Sequence, residues 1–289
     1  MILLIVIGLA TGCVYALVAF GYSLSHRTTG IVNFAQGSYV MIGGLATHWF
    51  LTVAKLPYPV AILAGIAMAA LAGLILWTLF VLPLWKARRP SYIALLETII
   101  YGVVLSLLAL LLVGPMPQTL PPWIPGLTLS LGDSRVDGQY IVVVVVTGIA
   151  MIAMVGALRY TTLGREMRAC ASNRDMSELL GISPYRVGLV SFTASAALGG
   201  LGGAVITPAQ FTSPDAGLIV GVFGFVAAVI GGFGSISGAL LGGLLLGLVN
   251  VFVAYYVSSN YQTVIAFGIL LVLLALRPEG LFGKAWADR

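Results

Sequence analysis

Twenty-four residues without a charged side chain open this sequence, and apolar runs of similar length recur to its end. About 20 apolar residues are enough for a helix to cross a bilayer core. The runs lie at 1–24, 31–53, 60–82, 92–113, 140–158, 187–207, 217–257 and 262–276. A glycine-rich break at 231–238 divides the region 217–257 into either two full spans or a re-entrant piece and one span. The expected fold is therefore all-α, a polytopic membrane helical bundle of eight to nine spanning or re-entrant elements. The whole of 1–289 is expected to form a single transmembrane domain. Only 8% of residues are charged, against roughly 25% in soluble domains, too few to coat a water-soluble surface. That excludes a soluble enzyme and a secreted disulfide scaffold. No basic stretch precedes the first run, which reads as a retained helix rather than a cleaved signal peptide.

The few charges are placed unevenly. Eleven of the 14 Lys and Arg lie in three short segments. Lys86, Arg88 and Arg89 form the first. Arg159, Arg165, Arg168, Arg174 and Arg186 form the second, and Arg277, Lys284 and Arg289 the third. Short basic loops between apolar spans mark the cytoplasmic side. The N-terminus is then outside and the C-terminus in the cytoplasm, with 55–59, the Pro-rich 114–138 and 208–215 outside. The net charge of +5 belongs to these loops. No basic face with stacking aromatics is present, so nucleic acid is not an expected partner.

Glycine supplies 36 residues, about 12% where ~7% is usual. Gly199 with Gly203, Gly238 with Gly242, and Gly243 with Gly247 form small-xxx-small pairs, which let helices approach closely. They fit either tight packing or a pathway between helices that repack. Phe34, separated by eight residues from Gly43-Gly44-Leu45, is echoed by Phe233, separated by eight from Gly242-Gly243-Leu244, as in the internal repeats of transporters. Cys13 and Cys170 fall at different membrane levels, so no disulfide is expected between them. His26 and His48 are too few and too far apart for a metal site, and each reads as marking an interface. Nothing resembles a phosphate-binding GxxxxGK[ST] loop, and no base accompanies Ser38 or Ser235 for nucleophilic chemistry. No catalytic residue, metal or cofactor is expected.

Two polar features lie inside apolar runs. Asn33, Gln36 and Ser38 follow a Thr-Thr-Gly break, where polar side chains are costly unless they find partners or a watery path. They fit a discontinuous helix lining a solute path, or Asn33 simply caps a broken helix. Glu97 is the one acid inside a span, close enough to Arg88 and Arg89 for an ion pair at the interface.

The longest polar run is the cytoplasmic segment within about 159–186. Met167, Cys170 and Ala171 recur at helical spacing, as do Met176, Leu179 and Leu180, and Gly181 offers a cap. A short amphipathic helix on such a loop either lies on lipid or docks a soluble partner. Here the residues reach a family. Leu163-Gly164-Arg165, Arg168-Ala169, Asn173 and Leu180-Gly181-Ile182 resemble the coupling segment of LivH-type permeases, membrane subunits of ABC importers for branched-chain amino acids and related solutes. Thr29-Gly30-Ile31-Val32-Asn33-Phe34-Ala35-Gln36-Gly37, Gly231-Gly232-Phe233-Gly234-Ser235-Ile236-Ser237-Gly238-Ala239 and Arg277-Pro278-Glu279-Gly280-Leu281-Phe282-Gly283 resemble the same family, in its order, over nearly the whole chain.

The resemblance implies a permease of the bacterial cytoplasmic (inner) membrane. Its partners would be a second, LivM-like permease subunit, two cytosolic ATPase subunits, an extracytoplasmic substrate-binding protein and membrane lipid. Gly164, Arg165, Arg168, Asn173, Leu179, Leu180, Gly181 and Ile182 would couple to the ATPase, with the two arginines making polar contacts and Leu179, Leu180 and Ile182 packing. Asn33, Gln36, Ser38, Gly232, Gly234, Ser235 and Asn250 would line a translocation path working by alternating access. Many family members carry His in place of Gln36 and Glu in place of Asn250. Two neutral amides there leave open a branched-chain or other amino acid, a short amide or urea, or a small organic acid. An ion-coupled secondary transporter is the alternative; it needs a mid-membrane acid or His, and only Glu97 is a candidate.

Overall fold

The computed structural model describes residues 1–124, 126, 128–131 and 134–282, leaving aside the side chains of 129–131 and 134–135. Gly283, Lys284 and Arg289 of the basic tail lie outside the described residues. Twelve helices account for nearly all of it: α1 Ile2–Thr29, α2 Gln36–Thr52, α3 Tyr58–Ile75, α4 Leu82–Lys86, α5 Ser91–Val113, α6 Gly138–Tyr160, α7 Thr162–Ser172, α8 Arg174–Leu179, α9 Pro184–Ile206, α10 Ala216–Gly231, α11 Ile236–Tyr256 and α12 Gln262–Leu276. A π-helical turn, Leu76–Val81, joins α3 to α4 just before Pro83, which has no N–H to continue a regular helix. Seven helical segments are long and apolar enough to cross a membrane. The chain is an all-helical polytopic membrane protein but for one ribbon that the sequence did not announce. There β1 (Thr128–Leu131) pairs antiparallel with β2 (Ser134–Asp137).

Helix α1 is the axis of the molecule, packed on α11, α9, α10 and α6. From Ala10 to Ser25 every one of its residues is buried. Helices α5, α6 and α12 instead leave broad apolar faces open, with Leu111, Leu112, Ile152 and Leu271 exposed. A largely apolar helix needs no polar face in lipid, so burial here is decided by shape rather than by hydropathy.

Glycine provides that shape. A Cβ on Gly43 would strike Gly200 of α9, and one on Gly203 the Val40 carbonyl, which sets α2 against α9. On α11, Gly243 faces Ala16 and Gly247 faces Gly12 of α1. Gly238 and Gly242 face Gly231 and Ala227. All three small-xxx-small pairs of the sequence therefore sit in helix seams. At such backbone distances dispersion contacts replace the hydrophobic drive that lipid cannot supply.

One predicted boundary moves, and the predicted break at 231–238 separates two helices. The second apolar run becomes helical only at Gln36, since 31–35 is a non-helical entry loop after the left-handed Gly30 (φ 75°). The region 217–257 is two helices: α10 and α11 form a tight antiparallel pair around a turn with Gly232 and Gly234 at φ 98° and 87°. Helix α10 has 16 residues and α2 has 17. These two short helices meet where Gly37 abuts Gly217 and Gly221.

Candidate functional site: a coupling module beneath a broken helix

The polar segment is not one amphipathic helix but two, broken at Asn173. Thr161 caps α7 by accepting from the Gly164 N–H at 3.1 Å, and Gly164 is pressed onto the Leu158 backbone, with no room for a side chain. Asn173 caps α8 through Oδ1, which accepts from the Met176 N–H at 3.0 Å. Gly181, at φ 79°, turns the chain toward α9. Gly164, Asn173 and Gly181 therefore shape the segment, which is the physical use of those residue types there.

Its apolar residues divide. Met167 and Cys170 of α7 are buried against the bundle, whereas on and after α8 Leu179 is 83% and Leu180 73% exposed. Ile182 is half-buried. Burial pushes the Cys170 thiol above its ordinary pKa, and the residue is a free cysteine, as is Cys13. Arg165 is exposed. Arg168 turns back instead, its Nη1 donating to the Leu158 carbonyl at the end of α6.

Two contacts tie α8 to α4 and the residues just after it, and a third carries one of them on to α1. The Arg174 guanidinium lies 3.4 Å from the centroid of the Trp85 ring, and Trp85 Nε1 donates to the Thr29 carbonyl, at the last residue of α1, at 3.3 Å. Burial and the neighbouring Arg88 both lower the Arg174 pKa. Arg88 itself pairs with Asp175 at 3.0 Å, both side chains being largely exposed. The expected pairing of Glu97 with Arg88 or Arg89 is thus corrected. Among the described residues no ion pair reaches Glu97, whose Oε2 is buried without a hydrogen bond. Arg88 turns outward because Asp175 is presented to it in the same polar layer, where a charge pair needs little desolvation.

Just past Thr29 lies the entry loop of α2. Asn33 Oδ1 accepts from the Ala35 N–H at 3.1 Å and its Nδ2 reaches Tyr39 Oη at 3.4 Å. Thr98 of α5 accepts from the Phe34 N–H at 3.0 Å. Gln36 is fully buried, with Nε2 donating to the Ser195 carbonyl at 2.8 Å while Oε1 has no partner. Ser38 donates to the Gly102 carbonyl at 3.3 Å. Asn250 stands apart on α11, its Nδ2 donating to Tyr15 Oη at 3.0 Å and its Oδ1 unpartnered. Ser235 caps α11 by accepting from the Gly238 N–H at 3.1 Å. The seven candidate path residues thus form three groups: Asn33, Gln36 and Ser38; Gly232, Gly234 and Ser235; and Asn250 alone.

An aromatic chain that the sequence did not reveal links the first two groups. Phe34 lies 5.1 Å from Phe225, Phe225 lies 5.9 Å from Phe233, and Tyr22 and His26 flank them at 5.8 Å and 4.9 Å. The C-terminal motif joins the same place, since Leu281 N–H and Phe282 N–H donate to the Ile230 and Gly231 carbonyls. His48 sits elsewhere, with Nδ1 2.8 Å from the Thr119 carbonyl. The four motif segments, far apart in sequence, therefore converge at one end of the bundle.

A membrane bundle with discontinuous helices above a polar two-helix module has the form of a transporter subunit. The family model described as "Branched-chain amino acid transport system / permease component" matches residues 4–274, and the chain belongs to that family. It is 32% identical to the high-affinity branched-chain amino acid transport system permease protein LivH of Salmonella typhimurium, over 98% of this chain and 95% of that one. It is 28% identical to the LivM permease protein of Escherichia coli, over 52% of this chain and 35% of that one. Among solved structures, PsaBC from Streptococcus pneumoniae in complex with Fab matches with TM-score 0.51 at 12% identity, covering 96% of this chain and 92% of that one. That last likeness concerns the fold alone.

Proposed function

We propose that this chain is one of two permease subunits of an ATP-driven importer, moving a branched-chain amino acid or a related small amide or organic acid into the cell. The observation that carries this reading is the pair Leu179 and Leu180, apolar and exposed at the tip of a module otherwise built into the bundle. Exposed apolar residues beside the exposed Asp175 and Glu178 of the same short helix make a surface for a protein partner, here the cleft of a cytosolic ATPase subunit. Closure of the ATPase pair would move α7 and α8 as a rigid body. Arg174 on Trp85, and Trp85 on Thr29, carry that movement to the hinge at Gly30 and the entry loop of α2.

The basic loops put this end of the bundle in the cytoplasm. Helices α2 and α10 then count as crossings, giving nine, with the N-terminus outside and the whole chain one transmembrane domain. The chain of Phe34, Phe225 and Phe233 closes the inner end of the path in this state. Asn33, Gln36 and Ser38 line it once α2 and α10 slide at their glycine contact. Gln36 and Asn250 each keep one amide oxygen without a partner, a neutral acceptor suited to an ammonium or amide N–H. A second, LivM-like permease completes the path, a substrate-binding protein delivers solute outside, and the membrane is the bacterial cytoplasmic one. The similarity to both LivH and LivM supports a pair of related permeases.

The double substitution Leu179→Glu with Leu180→Glu tests the dock. Both residues are exposed, so the melting temperature in detergent should hold. ATPase subunits of the same system should no longer co-purify, and uptake of labelled leucine or a short amide should stop. An intact, active complex would overturn the docking surface. Transport driven by an ion gradient with no ATPase present would overturn the importer class.

A further inference from the structure

A cavity of about 300 Å³ opens between the inner ends of α1, α6 and α11, with α7 as its floor. Arg27, Arg159 and Arg168 line it, one from each of α1, α6 and α7, and no carboxylate does. Among the described residues none of the three arginines forms an ion pair, and Arg168 spends only one of its five N–H donors on the Leu158 carbonyl. Ser23, 2% exposed, also lines the cavity, and its Oγ has no hydrogen-bond partner. Three uncompensated cations around a recess with a spare buried hydroxyl ask for an anion with several acceptor oxygens.

The remaining wall identifies the source of that anion. Leu24, Val155, Leu158 and Ile236 make the cavity apolar on its membrane side. Val155 continues into the outer face of α6, where Ile149 and Ile152 are 62% and 75% exposed. An inorganic phosphate has no use for such a wall, whereas a lipid can put its headgroup among the arginines and lay acyl chains along α6. We propose that this cavity binds the phosphate headgroup of an anionic membrane lipid. Cationic recesses between spanning helices at the inner leaflet are the expected receptors for such headgroups. Because α7 forms the floor, the bound headgroup would hold the coupling module against the bundle. Headgroup binding does not depend on the importer reading, and its test uses neither ATPase nor transport.

Native mass spectrometry of the purified full-length chain tests this, with phosphatidylglycerol or phosphatidylcholine added as probe. The wild type should retain one phosphatidylglycerol and discriminate against phosphatidylcholine. The double variant Arg27→Gln with Arg159→Gln, at two exposed positions, should hold phosphatidylglycerol about tenfold more weakly at an unchanged melting temperature. Ile236→Trp, which fills the cavity without altering charge, should also release the lipid. Inorganic phosphate at matched concentration should not compete. Equal retention of both lipids, or retention unaffected by both variants, would overturn the site. Full competition by inorganic phosphate would overturn the lipid and assign the cavity to a soluble anion.

Discussion

Single glycines decide more of this molecule than single charged groups. Gly203 has no room for a methyl group before the Val40 carbonyl, and the obstacle is backbone that cannot swing aside. Gly203→Ala should therefore lower stability by about 1–3 kcal/mol, read as a fall in melting temperature in detergent. Gly148→Ala on α6, which meets nothing within 4 Å, should be neutral or slightly stabilising, because alanine is the better helix former. The sequence marked Gly203 as one of a small-xxx-small pair, which fits packing or a pathway alike; which of the two holds depends on what α9 lies against, and the openness of Gly148 on what α6 does. The same holds for Gln36 and Asn250. Their oddity was visible as amides inside apolar runs, but their partners, Ser195 and Tyr15, come from helices distant in sequence.

Among the elements, the spans were legible because hydropathy is local, and the polar segment of α7 and α8 because polarity in such a chain is rare. The start of α2 was not. Ile31, Val32 and Phe34 are apolar, so hydropathy carries the run through a loop that Asn33 and Thr98 hold open by hydrogen bonds. The aromatic chain escaped for a related reason, since Phe225 is one apolar residue among many on α10 and gains meaning only beside Phe34 and Phe233. The attachments of α8 also differ in strength. A cation over an indole face in a half-buried site contributes about 0.5–2 kcal/mol, while an exposed ion pair contributes about 0–1 kcal/mol. Arg174→Ala should accordingly reduce solute transported per ATP hydrolysed severalfold while basal hydrolysis continues. Asp175→Asn, which removes only the Arg88 pair, should leave that ratio within about twofold. Equal effects of the two would place the mechanical link elsewhere than at Trp85.

For the whole molecule, the charge distribution predicts the orientation. Lys55 follows α2 and Arg89 follows α4, at opposite ends of the bundle in the proposed topology. In a chain carrying Cys13→Ala and Cys170→Ala, a cysteine at position 55 should react with a membrane-impermeant maleimide in intact cells. A cysteine at position 89 should react only after permeabilisation. The reverse pattern would invert the topology, and with it overturn the proposed cytoplasmic docking of α8. The convergence of four motifs at one end could not be read along the chain, because it is a property of how α1, α2, α10 and α12 return to the same level.

Helix α1 is the first to leave the ribosome, yet α11, which lies closest along it, begins at Ile236. Roughly 200 residues separate them, so at about 5–20 residues per second the first helix stands in the bilayer for some 10–40 s before its groove is covered. Its hydroxyls are prepared for that interval. Ser25 donates back to the Gly21 carbonyl, Thr28 to Leu24 and Thr29 to Ser25, all within the same helix. Three hydroxyls at the inner end of the segment are thus satisfied within it while it waits, whereas Tyr22 and Tyr15 gain their partners only when α10 and α11 arrive. Enclosure of the helix therefore waits on the arrival of α11 rather than on its own membrane insertion.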